Sequence, residues 1–300
     1  MLTDRPTVLA ISNADAGSSD DATIDEVIAQ LRGAADVIHA ATSGVDDLDR
    51  ALAAHPAIDG VVVLGGDGSL HAVLQATMRA DRLADMWFGL IPLGTGNDFA
   101  RTVHVPADPR EAVRLIMTGT PRPLDLALTA NGEIVVNAIH VGVGADAAAD
   151  AATWKRRFGP AGYAIGTLIA GVTRPGVELE VPVDGAIVSP RGQVLQVAAG
   201  NGRYVGGGAA LLPEADPGDG LLDIAVVTAA SRLRRLMYAL RLRRGTHHRS
   251  ADVRLWRGRE IVVRGERARA TNDGELAEPS AAHTWRVLPE AWRLVVRDPA

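Results

Sequence analysis

Two glycine-rich loops are the segments whose residue types suit phosphate binding. The first, Gly65–His71, reads Gly-Gly-Asp-Gly-Ser-Leu-His and stands between the apolar run Val61–Leu64 and a predicted helix. Glycines let the backbone approach a phosphate closely, and the N–H groups at a helix start supply donors and a favourable dipole. The segment therefore predicts a phosphate site, although an ordinary strand-to-helix turn would use similar residues.

A second loop of this kind, Pro92–Arg101, also follows a predicted strand and opens a helix. At adjacent strand ends, the two loops could hold one polyphosphate. Neither is a P-loop, because the sequence has no G-x-x-x-x-G-K-[ST] and its only lysine, Lys155, follows no glycine loop. The protein-kinase signatures V-A-I-K, H-R-D and D-F-G are also missing.

A third glycine segment, Gly142–Ala147, matches the dinucleotide fingerprint G-x-G-x-x-A after an apolar run. A Rossmann domain requires an Asp or Glu about 20 residues further on. Tyr163–Leu168 offers neither. The sequence therefore disfavours NAD binding at this segment.

Carboxylates in loops and turns suit a reaction that moves a phosphoryl group. Such a transfer needs a cation to neutralise the phosphates and a base that takes the proton of the attacking hydroxyl. Asp67 is placed by sequence to hold Mg²⁺ or to cap the following helix. The turn Asp216–Leu221 offers the oxygen ligands that a hard cation prefers, with a plain solvated turn as the alternative. Asn272–Gly274 by itself predicts only a turn between strands.

The first third of the chain alternates predicted strands and helices. This pattern predicts an α/β fold with a parallel, doubly wound sheet and a ligand at the carboxyl ends of its strands. The predicted strands are Thr7–Ser12, Asp36–Ala40, Gly60–Leu64 and Trp87–Ile91, and the predicted helices are Ala22–Leu31, Asp46–Ala54 and Ser69–Arg79.

From about Pro121 onward, short apolar runs alternate with turn signals. This predicts a second domain, a β-rich antiparallel sandwich with one or two inserted helices, and a boundary near Thr118–Pro123. An exposed sheet edge there could pair two chains into a homodimer. The runs are Ile134–Val141, Val177–Val183, Val194–Ala199 and Leu222–Val227, and the turn signals include Asp184-Gly185, Pro190–Gly192 and Pro217–Gly220.

Composition narrows the class of protein. A 47% hydrophobic chain of 300 residues can bury a large core, and the absence of cysteine excludes disulfides and thiolate sites. A net charge of −5 argues against a nucleic-acid binder. The N-terminus does not resemble a signal peptide and no apolar run is long enough to span a bilayer, which predicts a cytoplasmic protein.

One predicted helix is both apolar and basic. Ala230–Arg244 places four apolar residues on one face and carries six arginines: Leu233, Leu236, Met237 and Leu240, with Arg232, Arg234, Arg235, Arg241, Arg243 and Arg244. Such a helix could lie on anionic lipid, or it could be a surface helix with its arginines in water. Trp154–Phe158 is a second candidate contact. Either would make membrane association peripheral and salt-sensitive.

Taken in order, these motifs resemble the diacylglycerol kinase catalytic family, which includes the bacterial lipid kinases and the sphingosine and ceramide kinases. Together they cover nearly the whole chain and are far more specific than any one of them. The matching segments are Gly65–Ser69, Gly94–Arg101, Gly200–Gly202, Gly206–Gly208, Leu212–Ala215, Asp219–Asp223 and Asp273–Glu275.

The resemblance implies a phosphofructokinase/NAD-kinase-like nucleotide domain, a β-rich lipid domain and an active site between them. It also implies a last strand, near Arg293–Arg297, that returns to the first domain. The predicted domains are therefore residues 1–122 with about 291–300, and residues 123–290. The implied reaction uses ATP with Mg²⁺ to phosphorylate a lipid hydroxyl, on diacylglycerol or a related glycerolipid or sphingoid lipid.

The resemblance also implies roles for individual residues. Glu275 would be the base, Asp273 a supporting carboxylate, and Asp67 would act in catalysis. A structural Mg²⁺ would be held by Asp216, Asp219 and the carbonyl of Leu221. The implied ATP contacts are Asn13, Thr42, Gly65, Gly66, Asp67, Gly68, Ser69, Leu70, His71, Gly94, Thr95, Gly96, Asn97 and Asp98.

One segment departs from the family pattern. Asn13–Ser19 replaces the usual Asn-Pro loop, and Asp15 would repel phosphates unless a metal intervened.

Two alternative functions stay open. A soluble NAD-kinase-like enzyme shares the Gly-Gly-Asp-Gly loop, although Gly206–Gly208 and Asp273–Glu275 favour the lipid branch. A non-catalytic nucleotide- or lipid-binding regulator is the second.

Overall fold

The computed structural model describes residues 5–14, 21–142, 176–228 and 231–297. The chain divides into two compact units. The first unit comprises Met1–Leu126, Gly206–Gly208 and Leu288–Ala300, and the second comprises Ala127–Val205 and Ala209–Val287. The predicted boundary between residues 122 and 123 falls inside a strand, β5 (Thr120–Thr129), which begins in the first unit and ends in the second.

The first unit is an α/β fold around a parallel sheet, as predicted. Its strands lie in the order β2-β1-β3-β4, all parallel. Every residue of the central strand β3 is buried, which is typical of parallel strands covered on both faces. The elements are β1 (Thr7–Asn13), α1 (Asp21–Leu31), β2 (Asp36–Thr42), α2 (Val45–Ala54), β3 (Gly60–Gly65), α3 (Asp67–Arg79), β4 (Trp87–Pro92), α4 (Asp98–Thr102) and α5 (Pro109–Thr118).

The end of the last strand, β18 (Ser280–Val296), completes this sheet. Arg293 and Leu294 pair in parallel with β4. Next to them, the fully buried ring of Trp292 lies 5.6 Å from the ring of Phe88 and 5.8 Å from that of Phe99. Because Phe99 belongs to α4, this aromatic cluster helps to fix where the second glycine loop ends.

The second unit is a β sandwich. One sheet has the order β14-β13-β10-β7-β16-β17, and the start of β18 pairs with β15, which continues to β8 and β9. Strands of both sheets contribute to one core cluster, with Val141 and Ile224 from the first sheet and Val181 and Trp285 from the second. The elements are β6 (Ile134–Val135), β7 (Ala138–Gly142), β8 (Val177–Val183), β9 (Ala186–Val194), β10 (Gln196–Gly200), β11 (Tyr204–Val205), β12 (Ala209–Ala210), β13 (Leu222–Val227), α6 (Arg232–Arg243), β14 (Val253–Gly258), β15 (Glu260–Ala268), β16 (Ala270–Asn272) and β17 (Glu275–Leu276).

Two local predictions in this unit were wrong. The run Ile134–Val141 is not one strand, because the Asp273 carboxylate accepts the N–H groups of Val136 and Asn137 and so interrupts the ladder between β6 and β7. The turn predicted at Pro190–Gly192 lies inside β9. Among the described strands β9 lies at the edge of its sheet and pairs with β8 alone, so it tolerates a proline and the register shifts seen in this pairing.

Some predicted features fall outside the described residues. These are the loop residues 15–19, the dinucleotide-like segment beyond Gly142, and the aromatic and basic segment Trp154–Phe158. Among the helices that the structure describes, none is long and apolar enough to cross a membrane.

Candidate functional site

The two glycine loops touch through their backbones. The N–H of Leu93 donates to the carbonyl of Gly65 at 3.1 Å. A Cβ added to Gly94 would lie 2.5 Å from the Cα of Gly66, which real structures essentially never show. The parallel pairing of β3 and β4 explains this contact, because it brings both loops to the same edge of the sheet. Only residues without side chains allow this approach.

The start of α3 is open to a ligand. Its N-cap residue is Gly66, which has no side chain that could cap the helix. A Cβ on Gly68 would meet none of the described residues within 4 Å, so the described part of the chain leaves space against the first turn. Unpaired N–H groups and the dipole at a helix N-terminus favour an anion there.

A cavity of about 160 Å³ lies beside this helix start. Four predicted ATP contacts line it together: Asn13, Thr42, Gly68 and Ser69. Asn13 and Thr42 are register partners at the ends of β1 and β2. The cavity thus collects residues from three separate strand ends of the first unit.

Most residues of this cavity wall were not predicted from the sequence. The Thr42-Ser43-Gly44 turn, which follows a strand next to β1, is the sequence signal that could have indicated them. The cavity has apolar walls with a few polar groups, which is typical of small-molecule sites. The missed lining residues are Ile11, Ser43, Gly44, Val45, Leu48, Ala72 and Val73.

Asp67 links the first loop to the second. Its carboxylate accepts the N–H of Asp98 at 3.0 Å and that of Phe99 at 2.9 Å. It therefore caps the start of α4. Whether Asp67 also caps its own helix, α3, stays a prediction.

Asn97 and Asp98 brace the second loop. Asn97 has a left-handed backbone with φ of 50°, and its side-chain amide accepts from the N–H of Gly94 at 3.1 Å and donates to its carbonyl at 2.7 Å. The buried Asp98 carboxylate accepts from Arg101 at 2.9 Å and from the N–H of Gly207 at 2.9 Å. Both side chains thus hold loop backbone or loop side chains in place.

The remaining predicted ATP contacts differ in their surroundings. Leu70 is 1% exposed and its side chain belongs to the core, so only its backbone could contact a ligand. Thr95 is exposed, and His71 is half-buried in α3. Gly96 is close to the Asp67 carboxylate, because a Cβ there would lie 3.2 Å from its Oδ2.

In the second unit, Glu275 is held by a tight hairpin. Asp273 and Gly274 join β16 to β17 with φ of 50° and 91°, the conformation of a type I′ turn. The Asp273 carboxylate accepts the N–H groups of Val136, Asn137 and Ala138 at 2.7, 2.8 and 3.0 Å. Glu275 is exposed beside this turn. Asp273 therefore positions the hairpin, and the hairpin presents Glu275.

The predicted Mg²⁺ residues lie in the turn before β13. Asp216 accepts the N–H of Gly218, Asp219 accepts the N–H of Leu221, each at 3.0 Å, and Asp219 forms an ion pair with Arg257. Two carboxylates and a carbonyl have the donor chemistry of a hard-cation site. Among the described residues, no group of three or more His, Cys, Asp or Glu side chains is arranged to hold a metal. The Mg²⁺ assignment stays a prediction.

Negative charge accumulates near this turn. Burial, with smaller contributions from Glu214 and Asp216, raises the pKa of Asp223 to about 6, against the opposing effect of Arg203. Arg257 already offsets part of this charge, because it forms ion pairs with both Asp219 and Asp223.

A partly buried chain of hydrogen bonds links three side chains of the second unit. The Tyr238 hydroxyl donates to Gln196 at 3.3 Å, and the Gln196 amide donates to Nδ1 of His140 at 2.9 Å. Burial lowers the pKa of His140 to about 4, and nearby Asp273 opposes this effect. His140 is therefore a neutral acceptor at neutral pH.

The lowered pKa of His140 predicts that acid destabilises the fold. Because the pKa in the folded state, about 4, lies below the ordinary 6.5, the contribution of neutral His140 to stability is complete above pH 6.5 and is lost as the pH falls toward 4. The loss amounts to about 3 kcal/mol. Denaturant unfolding at several pH values should show this loss in the wild type and in a His283→Gln control. An unchanged acid loss in His140→Gln would contradict the assignment.

Comparisons with known proteins agree with this geometry. Residues 7–129 match the family model described as the diacylglycerol kinase catalytic domain, and residues 137–296 match the YegS C-terminal NAD kinase beta sandwich-like domain. A YegS-like lipid kinase of Pseudomonas putida is 33% identical over 231 residues, which cover 74% of this chain and 75% of the relative. One of Pectobacterium atrosepticum is 29% identical and covers 78% and 79%.

Solved structures support the fold. A structure from Bacillus anthracis aligns with 98% of each chain at a TM-score of 0.79 and 24% identity. A diacylglycerol kinase of the same organism aligns at a TM-score of 0.74 and 21% identity, covering 99% of this chain and 98% of its own. With both domain models matched in order and a relative aligned over most of its length, the chain belongs to the YegS-like, diacylglycerol-kinase-like family of lipid kinases.

Proposed function

We propose that the chain transfers the γ-phosphoryl group of ATP to a hydroxyl of a lipid, diacylglycerol or a related glycerolipid or sphingoid lipid. The observation that carries this proposal is the backbone contact between the glycine loops at Gly66 and Gly94, beside a helix start whose N-cap residue is a glycine. The polyphosphate would lie against the first turn of α3. The nucleoside would use the adjacent cavity, whose apolar walls suit a flat base.

The acceptor chemistry is assigned to the second unit. Glu275 would take the proton of the lipid hydroxyl as the new P–O bond forms, since a carboxylate at an exposed hairpin can reach an acceptor. Asp273 would serve as its positioning residue through three backbone N–H contacts. These roles follow from the hairpin geometry together with the family resemblance at Asp273–Glu275.

Mg²⁺ fits two places in this proposal. Asp67 is a carboxylate that joins the two glycine loops through two backbone N–H groups, and Mg²⁺ bound there would neutralise phosphate charge. Asp216, Asp219 and the Leu221 carbonyl would hold a structural ion, for which Arg257 would have to yield its contact with Asp219.

The direct test is incubation of the purified chain with γ-labelled ATP, Mg²⁺ and a lipid extract dispersed in detergent micelles. The proposal expects label in a phosphorylated lipid, which thin-layer chromatography and mass spectrometry would identify. Label only in NAD would favour the NAD-kinase-like alternative. ATP binding without label in any lipid would favour the regulator and would overturn the proposal.

The open space at Gly68 gives a sharp prediction for the ATP site. Gly68→Ala should not lower the free energy of unfolding, because its Cβ meets no atom of the described residues within 4 Å and alanine favours a helix over glycine by about 1 kcal/mol. ATP affinity should fall at least tenfold, because the new methyl group fills the space where phosphate would approach N–H groups. Calorimetric titration with ATP measures this effect.

Gly94→Ala is the matched comparison. Its Cβ would strike the Cα of Gly66 at 2.5 Å, so we expect both the unfolding free energy and ATP affinity to fall. A Gly68→Ala protein that binds ATP as tightly as the wild type would place the phosphates elsewhere.

A further inference from the structure

Helix α6 turns an apolar stripe toward solvent. Leu233, Leu236, Met237 and Leu240 are 69, 39, 43 and 44% exposed. Their spacing of i, i+3, i+4 and i+7 places them on one face of the helix. Scattered surface leucines are common, but four on one helix face form a continuous patch.

Packing inside the unit does not account for this stripe. The opposite face already anchors the helix, because Tyr238 is buried in a cluster with Leu195, Val227 and Val253, and Leu242 packs against the same cluster. Helix α6 therefore has one apolar side for its own core and a second that the described residues leave uncovered.

Positive charge borders the stripe. The helix and its C-cap carry six arginines and no acidic residue, in a chain whose net charge is −5. At about 100° per residue, Arg232 and Arg243 lie along one side of the stripe and Arg234 and Arg241 along the other. Basic residues in the last turn also complement the helix dipole, which accounts for Arg241 and Arg243, and Arg234 forms an ion pair with Asp252 at 2.9 Å; neither accounts for Arg232.

We propose that the outer face of α6 docks on an anionic lipid bilayer, with the stripe among the acyl chains and the arginines at the headgroups. This deepens the proposed function and rests on it for its purpose, since a lipid acceptor is reached at a bilayer. The charge pattern favours this occupant, because long arginine side chains extend from an apolar face toward anionic headgroups. A second copy paired through the same face would instead bring the two sets of arginines together.

The test measures vesicle binding of the full chain without nucleotide. Sedimentation with phosphatidylcholine vesicles, with and without phosphatidylglycerol, should show binding only to the anionic ones. The double variant Arg232→Gln, Arg243→Gln should weaken partitioning about 30-fold, because each cation near the surface contributes about fivefold. Its binding should also depend less steeply on salt concentration. Leu236→Gln with Leu240→Gln should weaken partitioning at least tenfold, because buried CH₂ groups are lost from the acyl region.

Matched controls lie elsewhere in the same unit. Ile187→Gln changes an apolar side chain that is 54% exposed, and Arg191→Gln with Arg286→Gln removes two exposed arginines whose ion pairs are long, at 3.5 and 4.0 Å. These controls should bind vesicles like the wild type.

Three results would overturn the docking proposal. They are equal binding to neutral vesicles, unchanged binding of the α6 variants, and a concentration-dependent dimer that the Leu236→Gln, Leu240→Gln variant dissolves. Failure of the proposed function would look different. In that case α6 would still direct vesicle binding, but no lipid would be labelled in detergent micelles.

Discussion

Glu275→Gln should lower turnover of the lipid acceptor by about 10²- to 10⁴-fold, the usual contribution of a general base. Glutamine keeps the size and the hairpin position of Glu275 but cannot take the hydroxyl proton. Because Glu275 lies in the second unit and the glycine loops in the first, ATP affinity should not change. Initial rates with labelled ATP and calorimetric ATP binding measure the two effects separately.

Glu278 provides the control for this prediction. It is an exposed glutamate three residues further along the chain, so Glu278→Gln removes one negative charge from the same region. We expect nearly wild-type turnover. If Glu275→Gln also turned over within tenfold of the wild type, another group would accept the proton and the assignment of Glu275 would be wrong.

The second large effect is expected at Asp273. Asp273→Ala should lower the free energy of unfolding by at least about 3 kcal/mol, because three backbone N–H groups lose a charged acceptor worth about 1.5 to 3 kcal/mol each. Alanine would also be strained at φ of 50°. The free energy of unfolding of Asp273→Asn should lie between those of the wild type and Asp273→Ala, since asparagine tolerates this backbone conformation and keeps one oxygen that can accept a hydrogen bond. Urea unfolding monitored by circular dichroism orders the three proteins.

Asp184→Ala is the control that separates the loss of stability of Asp273→Ala from its loss of turnover. Asp184 also precedes a glycine in a left-handed turn, with φ of 49°, and its carboxylate accepts the N–H groups of Arg259 and Glu260. Asp184→Ala should therefore be destabilising too. Under conditions where each variant is folded, only Asp273→Ala should also lose turnover, because only Asp273 positions Glu275. Equal losses of turnover would mean that Asp273 contributes stability alone.

Membership of the family changes how the two glycine loops are interpreted. Gly65–His71 on its own was compatible with an ordinary turn. Its contact with Gly94 and the cavity with Asn13 and Thr42 show that predicted ligand residues from separate parts of the chain share one edge of the sheet. The matched domain models place the same loops within a lipid kinase family.

Asp67 shows how the contacts of a residue can escape a prediction from sequence. Its position in the first glycine loop was evident from sequence, but its partners are the N–H groups of Asp98 and Phe99, which are 31 and 32 residues away. No local pattern contains that pairing. The same holds for Asp273, whose partners lie 135 to 137 residues earlier in the chain.

Features that depend on neighbouring residues could be derived from the sequence alone. Strand, glycine loop and helix follow from apolar runs, backbone freedom at Gly65–Gly68 and helix periodicity, and parallel strands then require the loops to share an edge. The Asp273-Gly274 turn is local in the same way.

Contacts between residues far apart in the chain became apparent only in the folded protein. The structure showed that Ser43 and Val45 line the cavity, that Asp67 caps α4, and that α6 buries Tyr238 while its leucine stripe faces outward. Helical periodicity places residues on a common face, but it cannot tell which face the rest of the chain will cover, because that depends on which other elements pack against it.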